Sequence, residues 1–218
     1  MEQIADVGNG NYAYIDTLKE GRKVLVNEIN STLFTIAKDV KVQVEFNPAV
    51  VAEYRLIGYE NRKLLREDFR NDKVDAGELG AGHTVTALYE IAIAGSKGVR
   101  LEQLRYENQA KVEDSKGNEL GFVRLRYKQP KESSSRLIEL PLLREMIADA
   151  AQTTASENLR FAAGVAAFGQ ILKGGKYMGD FDYDKVTELA RGARGDDRFG
   201  YRAEFISLVD VAKSLSTR

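Results

Sequence analysis

Side chains that could act as nucleophiles, bases or soft metal ligands are scarce in this sequence. It contains one histidine, His83, and no cysteine. A histidine-based catalytic triad or zinc site needs partners such as cysteine or a second histidine, and the sequence has neither. The lack of cysteine also excludes disulfides and thiolate ligands. We therefore expect His83, which lies in a glycine-rich turn, to have a structural role.

Carboxylates are concentrated in one stretch, residues 67–78. Its acidic members are Glu67, Asp68, Asp72, Asp75 and Glu78. Basic residues alternate with them, namely Lys63, Arg66, Arg70 and Lys73. Calcium loops concentrate oxygen ligands, whereas this mixture of charges is typical of a solvated loop. The sequence thus predicts no metal, cofactor or catalytic site, and a hydrolase using these carboxylates is the weaker hypothesis.

The glycines at 77, 80 and 82 raise the question of a phosphate-binding loop. Such a loop needs a strand before it and a helix after it, so that helix N-terminal amides face the phosphate. A β-type segment follows here, and a turn that needs positive φ is the expected structure.

A basic strip is the one candidate interaction site. Arg124, Arg126 and Lys128 alternate with the apolar residues Val123, Leu125 and Tyr127, as on a strand with one polar and one apolar face. The strip could dock an acidic partner, or it could be an ordinary solvated sheet face.

Composition gives little support for nucleic acid or membrane partners. Among 218 residues, 32 are Lys or Arg and 33 are Asp or Glu, which leaves a formal net charge of -1. Nucleic acids and anionic membranes favour a large basic excess. The longest weakly polar stretch, 161–172, is too short to span a bilayer, so no direct membrane insertion is expected.

The middle of the chain has the period-two pattern of strands. Alternation at Val40, Val42, Val44 and Phe46 begins it, and further strands are predicted at 54–59, 84–94, 100–106, 119–128 and 135–140. Turn-forming residues separate these strands. We predict a β-sandwich-like module over 39–141. Its predicted core contains Val42, Val44, Val85, Tyr89, Ile91 and Leu125.

The two ends of the chain have other patterns. A short strand at Tyr12–Ile15 and a helix from Thr17 to about Asn30 resemble the last β-α unit of an α/β domain, and this segment is assigned to residues 1–38. Residues 142–218 are predicted to form a helical unit, with a capping box at Thr154 and Glu157, a cap at Asp182 and a last helix from Tyr201. The predicted fold class is α+β.

Longer motifs carry a family resemblance over nearly the whole chain. Residues 1–16 and the following helix resemble the end of a von Willebrand factor A domain. Ile36–Pro48 looks like the exit from that domain in the bacterial YfbK-type family, and Tyr54–Arg62 and Asp75–Glu90 resemble segments of its C-terminal domain of unknown function. The metal-binding Asp-x-Ser-x-Ser run of A domains does not occur here, so no metal-binding role passes to any residue of this chain.

The resemblance implies a location in the bacterial cell envelope, with full-length relatives exported and lipid-anchored. We expect a non-catalytic protein-interaction or scaffolding module with an unidentified protein partner. A carbohydrate-binding sandwich is the alternative, with Tyr54, Tyr59 and Tyr106 as aromatic platforms. Residues 1–37 are expected either to dock on the rest of the chain or to pair with a second copy in a homodimer, because an unpaired strand edge recruits partners.

Overall fold

The computed structural model of the chain describes residues 4–5, 12–58, 64–102, 117–147 and 155–216. These residues form two compact units that interleave along the sequence. The first contains the described parts of 1–45, 63–85 and 121–141, and the second those of 46–62, 86–120 and 142–218. The fold is α+β, as predicted, with antiparallel strand pairs and C-terminal helices. The linear domain boundaries at 38/39 and 141/142 stay a prediction.

The strands of the described residues form a four-stranded and a two-stranded sheet. They are β1 (Thr35–Phe46), β2 (Val51–Ile57), β3 (Gly77–Gly80), β4 (Leu88–Ile93), β5 (Glu119–Lys128) and β6 (Ser135–Leu143). The larger sheet has the order β3-β1-β5-β6, and the smaller one pairs β2 with β4. β1 is irregular where it pairs with β3, and Asp39 has a φ of 50° there. Aspartate tolerates this left-handed conformation better than most residues do, so it suits a bulge.

Helical elements lie at both ends of the chain. They are α1 (Leu18–Arg22), a π-helical turn (Lys23–Asn27), α2 (Ile29–Leu33), α3 (Glu157–Leu172), α4 (Tyr183–Gly192) and α5 (Tyr201–Ser216), with 3-10 turns at Arg66–Arg70 and Arg144–Met146. The helix predicted over 17–30 is therefore present in interrupted form and extends to Leu33. No helix of the described residues combines the length and apolarity needed to cross a membrane.

The three C-terminal helices enclose a buried core in the second unit. Val186 and Val209 have no exposed surface, and Ala167 and Phe168 complete the buried cluster. The ring of Phe168 meets those of Tyr183 and Phe205 edge-on, with centroids 6.2 and 5.6 Å away. These contacts fix how α3, α4 and α5 pack together.

Local caps set the beginnings of two of these helices. Asp182 accepts a hydrogen bond from the backbone N–H of Lys185 at 3.0 Å, which confirms the predicted cap of α4. For α3 the cap is Ser156, which accepts from the N–H of Leu159, so the predicted capping box is wrong. Its Thr154 lies outside the described residues. Prediction of the last helix from Tyr201 is confirmed, although Leu208 and Leu215 are exposed rather than packed.

Several strand predictions are corrected by the structure. Tyr12–Ile15 is not in a strand, and the strand predicted at 84–94 is limited to Leu88–Ile93. The glycine-rich stretch begins with β3 and turns only at Gly82, whose φ is 79°. Of the strand predicted at 100–106, residues 100–102 are not in a strand and the rest lie outside the described residues.

Half of the predicted β core is also wrong. Val42 is 55% exposed and Val85 is 76% exposed, while Ile91 lies at the surface. Val44, Tyr89 and Leu125 are half-buried. Period-two alternation identifies the two faces of a strand but does not say which face is covered, and Val85 precedes β4 instead of lying within it.

The close approach of α2 to β3 depends on a glycine. A Cβ atom added at Gly80 would lie 1.5 Å from the carbonyl oxygen of Ser31, which is a backbone atom and cannot rotate away. We expect Gly80→Ala to lower the free energy of unfolding by about 1–3 kcal/mol, as overpacking does. Gly77→Ala is the matched control, because the same strand leaves open space at that position. Urea denaturation measures the effect, and equal midpoints for the two variants would contradict this packing.

Candidate functional site

The predicted basic strip lies on one face of the larger sheet, and acidic groups of the same unit pair with it. Arg124 on β5 reaches in both directions across the sheet. It donates to Glu45 on β1 and to Glu139 on β6, each at 3.1 Å. Because these side chains share one side of three neighbouring strands, they define a polar sheet face.

Lys128 lies at the other end of the strip and has two oxygen partners. Its Nζ is 2.6 Å from Oδ2 of Asp39 and 2.7 Å from the carbonyl oxygen of Asp72. The side chains of Lys128 and Asp39 are only 14% and 20% exposed. Partial burial strengthens the Coulomb attraction between the two charges relative to water. The bulge at Asp39 thus brings a carboxylate to the end of the strip.

Arg126, between them, joins β5 to β6. Its Nε donates to the hydroxyl of Ser135 at 2.9 Å, and its guanidinium is 3.9 Å from Asp72. The backbone N–H of Ser135 also donates to Asp72 at 3.3 Å. Asp72 is therefore the point at which the acidic stretch meets the sheet.

A second lysine, which sequence reasoning missed, fixes this acidic stretch over the polar sheet face. Lys41 on β1 is 4% exposed, and its Nζ donates to the carbonyl oxygens of Asn71 at 2.5 Å and Asp68 at 3.3 Å. Phe69, within the 3-10 turn, is 5% exposed. Residues 66–73, which we term the acidic turn, are thus partly packed on the sheet instead of forming the fully solvated loop that was predicted.

These contacts define what the basic strip can do. Each of its three cations already has an oxygen partner within the first unit. An acidic partner would have to displace Asp39, Glu45, Asp72 or Glu139 from it. Docking at Arg124, Arg126 and Lys128 stays a prediction, and the observed pairs give the strip a structural role in holding β1, β5, β6 and the acidic turn together.

These contacts lower the pKa of two carboxylates, those of Asp39 and Asp72. Burial acts to raise the pKa of Asp39, but the hydrogen bond from Lys128 and its positive charge, together with a hydrogen bond from the backbone N–H of Ala76, outweigh it and lower that pKa. Hydrogen bonds from the hydroxyl and backbone N–H of Ser135 lower the pKa of Asp72, assisted by the charges of Arg126 and Lys128. Both groups consequently favour the ionised form in the folded chain.

The lowered pKa values of Asp39 and Asp72 predict that the folded chain loses stability in acid. A carboxylate with a depressed pKa in the folded state stabilises that state above its unfolded pKa of about 3.9, and the stabilisation is lost as the pH falls through the folded value. We expect Asp39→Asn, which suits the left-handed backbone, to reduce stability at pH 7 and to flatten its decline below about pH 4. Urea denaturation from pH 2.5 to pH 7 tests this. An unchanged slope in the variant would exclude Asp39 as a contributor.

The opposite side of the same sheet is apolar and open. Strand alternation places Val42 on it together with Ile138 and Leu140 of β6, and these side chains are 55%, 51% and 52% exposed. Half-buried Val44, Val123 and Leu125 lie on the same side. We call this the apolar sheet face. It is the face that alternation predicted as core, and its exposed side chains make it a candidate docking surface.

The remaining candidate residues lie elsewhere. Tyr54 is 61% exposed, and its ring centroid is 4.8 Å from that of Phe46, which in turn meets Tyr89 at 5.5 Å. Tyr59 and Tyr106 lie outside the described residues. His83 is exposed in the turn after β3, where its N–H donates to the carbonyl oxygen of Gly80. Among the described residues, no three His, Cys, Asp or Glu side chains are grouped as a metal ion requires.

Comparison with known proteins places residues 31–215 in the family model described as "Uncharacterized protein YfbK, C-terminal". The chain is similar to the uncharacterized protein YfbK of Escherichia coli (strain K12), with 47% identity over 217 residues. The match takes in 99% of this chain but 36% of the relative, so the chain spans about a third of that protein's length. No solved structure matches the chain.

Proposed function

Because the chain belongs to the family of YfbK C-terminal regions, we propose that it is a non-catalytic protein-interaction or scaffolding module. In this proposal it follows a von Willebrand factor A domain in a longer protein of the bacterial cell envelope. The relative's greater length leaves room for such a domain. In this proposal, the first residues of the chain supply the end of that domain, which their sequence resembles.

The apolar sheet face is the observation that carries this proposal. On the polar sheet face, the charged side chains are engaged with one another and with the acidic turn. On the opposite side, Val42, Ile138 and Leu140 keep about half of their surface exposed to solvent. Burial of apolar surface is favourable by roughly 25 cal/mol per Å², so a protein partner with an apolar patch gains most by covering this side.

Neighbouring residues of β6 allow a controlled test. Leu137 and Ile138 are 47% and 51% exposed, but alternation along the strand places them on opposite faces of the sheet. Envelope extracts of a bacterium that carries the longer protein would be passed over the chain and its Ile138→Lys and Leu137→Lys variants. We expect Ile138→Lys to lose bound protein that Leu137→Lys retains. Equal capture by both variants contradicts a role for the apolar sheet face.

Carbohydrate binding remains the second candidate, supported by the exposed Tyr54 ring beside Phe46. Exposed aromatic rings can stack on the apolar faces of sugars, with the hydroxyl available for hydrogen bonds. A glycan array probed with the chain and with Tyr54→Ala distinguishes this role from protein binding. Glycan signals that Tyr54→Ala abolishes would favour it, and an array without signal would remove it.

A further inference from the structure

The first unit exposes a second apolar surface, at its N-terminal end. It is formed by Tyr14, Leu18, Leu25, Val26, Leu33 and Phe34, which we call the N-terminal apolar surface. Leu18 is 92% exposed and the other five are each more than 60% exposed. Isolated apolar side chains are common at protein surfaces, but here six that are each more than 60% exposed occur within 21 residues.

The helical elements that carry four of these residues are too short to be stable alone. α1, the π-helical turn and α2 have five residues each. Helices in proteins owe most of their stability to packing of an apolar face, and isolated helices below about 12 residues are marginal in water. The end of the segment is held beside β3: Ser31 lies against Gly80, and the carbonyl oxygen of Phe34 accepts from the backbone N–H of Ala81, just after that strand, at 2.8 Å. These side chains therefore face outwards from an anchored segment.

In the E. coli relative, the residues that match this segment lie near the start of the C-terminal region. The family model starts at residue 31, whereas the match to the E. coli relative takes in 99% of the chain and so includes residues before 31. That family is described as C-terminal, and the match leaves most of the relative outside it. The segment thus stands where the relative passes from its upstream region into its C-terminal region.

We propose that, in longer YfbK-like proteins, the upstream region of the same polypeptide packs against the N-terminal apolar surface. This inference rests on the proposed interaction function and assigns one of its partners. Direct covalent connection gives the two regions a high effective concentration, so a modest apolar contact suffices to keep them docked. Within the segment, Lys23 pairs with Glu20 at 3.0 Å.

Thiol labelling can measure this contact directly, because the chain contains no cysteine. Leu18→Cys introduces a single reactive thiol at the most exposed position of the surface. Leu215→Cys is the control, because Leu215 is 63% exposed on α5 in the other unit. Each variant would be labelled with a maleimide, alone and fused at residue 1 to the upstream region of the E. coli relative. Mass spectrometry of peptides from this chain would give the labelling rates.

We expect fusion to slow labelling at position 18 by at least about tenfold, the scale of a buried interface residue, and to leave position 215 unchanged. Leu25→Glu in the fused protein should restore rapid labelling at position 18. Equal rates with and without the upstream region would overturn the inference. So would labelling of the unfused chain that slows with its own concentration, because a second copy would then cover the surface. The two proposals can fail separately. If Ile138→Lys loses capture of envelope proteins but fusion does not slow labelling of Leu18→Cys, this inference is wrong and the proposed function is retained.

Discussion

Replacing Phe168 by alanine is expected to lower the free energy of unfolding by about 3–5 kcal/mol, the range of large aromatic-to-alanine changes in protein cores. Phe168 is 7% exposed and meets rings from both α4 and α5. Its removal would leave a cavity beside Val186 and Val209, which are fully buried in the same cluster. Far-ultraviolet circular dichroism during urea denaturation measures the loss, since the chain has no tryptophan to report it.

Val165 provides the matched control for this experiment. It lies on the same helix, three residues away, but is 41% exposed. Val165→Ala should change the free energy of unfolding by less than about 1 kcal/mol, because that side chain is already partly in water. A cost for Val165→Ala equal to that of Phe168→Ala would contradict burial of Phe168 as the cause of its larger effect.

The second large effect is expected at Lys41. Lys41→Met keeps most of the side-chain volume but removes the Nζ donor from the carbonyl oxygens of Asn71 and Asp68. Hydrogen bonds from charged groups contribute about 1.5–3 kcal/mol, and a buried acceptor left unsatisfied costs about 1–3 kcal/mol. We expect a loss of about 2–4 kcal/mol in the free energy of unfolding, accompanied by release of the acidic turn.

Two measurements distinguish a loss at this position from a general effect of removing a positive charge. Lys73→Met changes an exposed lysine at the end of the acidic turn and should alter stability by less than about 0.5 kcal/mol. Hydrogen exchange should also accelerate in Lys41→Met at the N–H of Asn71, which is bonded to Asp68 within the 3-10 turn. Unchanged exchange there, even with reduced stability, would show that Lys41 does not hold the turn.

Local sequence signals were sufficient to predict an element where its capping residues or its alternation lie within the element itself. Asp182 followed by an amphipathic run defines α4, and β5 appears over the predicted residues because Val123, Leu125 and Tyr127 alternate with cations. Similar local reasoning failed at Tyr12–Ile15, where two tyrosines and an isoleucine have strand propensity but no partner strand in the described part of the chain. Strand formation needs a neighbour, and the sequence of one segment cannot supply it.

The sequence did not indicate which face of β1 is buried. Alternation in β1 correctly separated Val42 from Lys41, yet the lysine is buried and the valine is exposed. The acidic turn, some 30 residues further along the chain, covers the polar side and provides carbonyl oxygens that satisfy the buried ammonium. A lysine between valines carries no local sign of this arrangement, because its partners are backbone atoms whose position depends on the fold.

By itself, therefore, the sequence determined the α+β class, the C-terminal helices, the strands with strong alternation and the family resemblance. Each of these depends on periodicity, capping residues or motifs within a short stretch of chain. Only the tertiary structure decided that Arg124, Arg126 and Lys128 pair with carboxylates from β1, β6 and the acidic turn, and that an apolar sheet face stays open. Such pairing brings together residues up to 89 positions apart, as in Lys128 and Asp39, and long-range proximity is set by the packing of the whole unit.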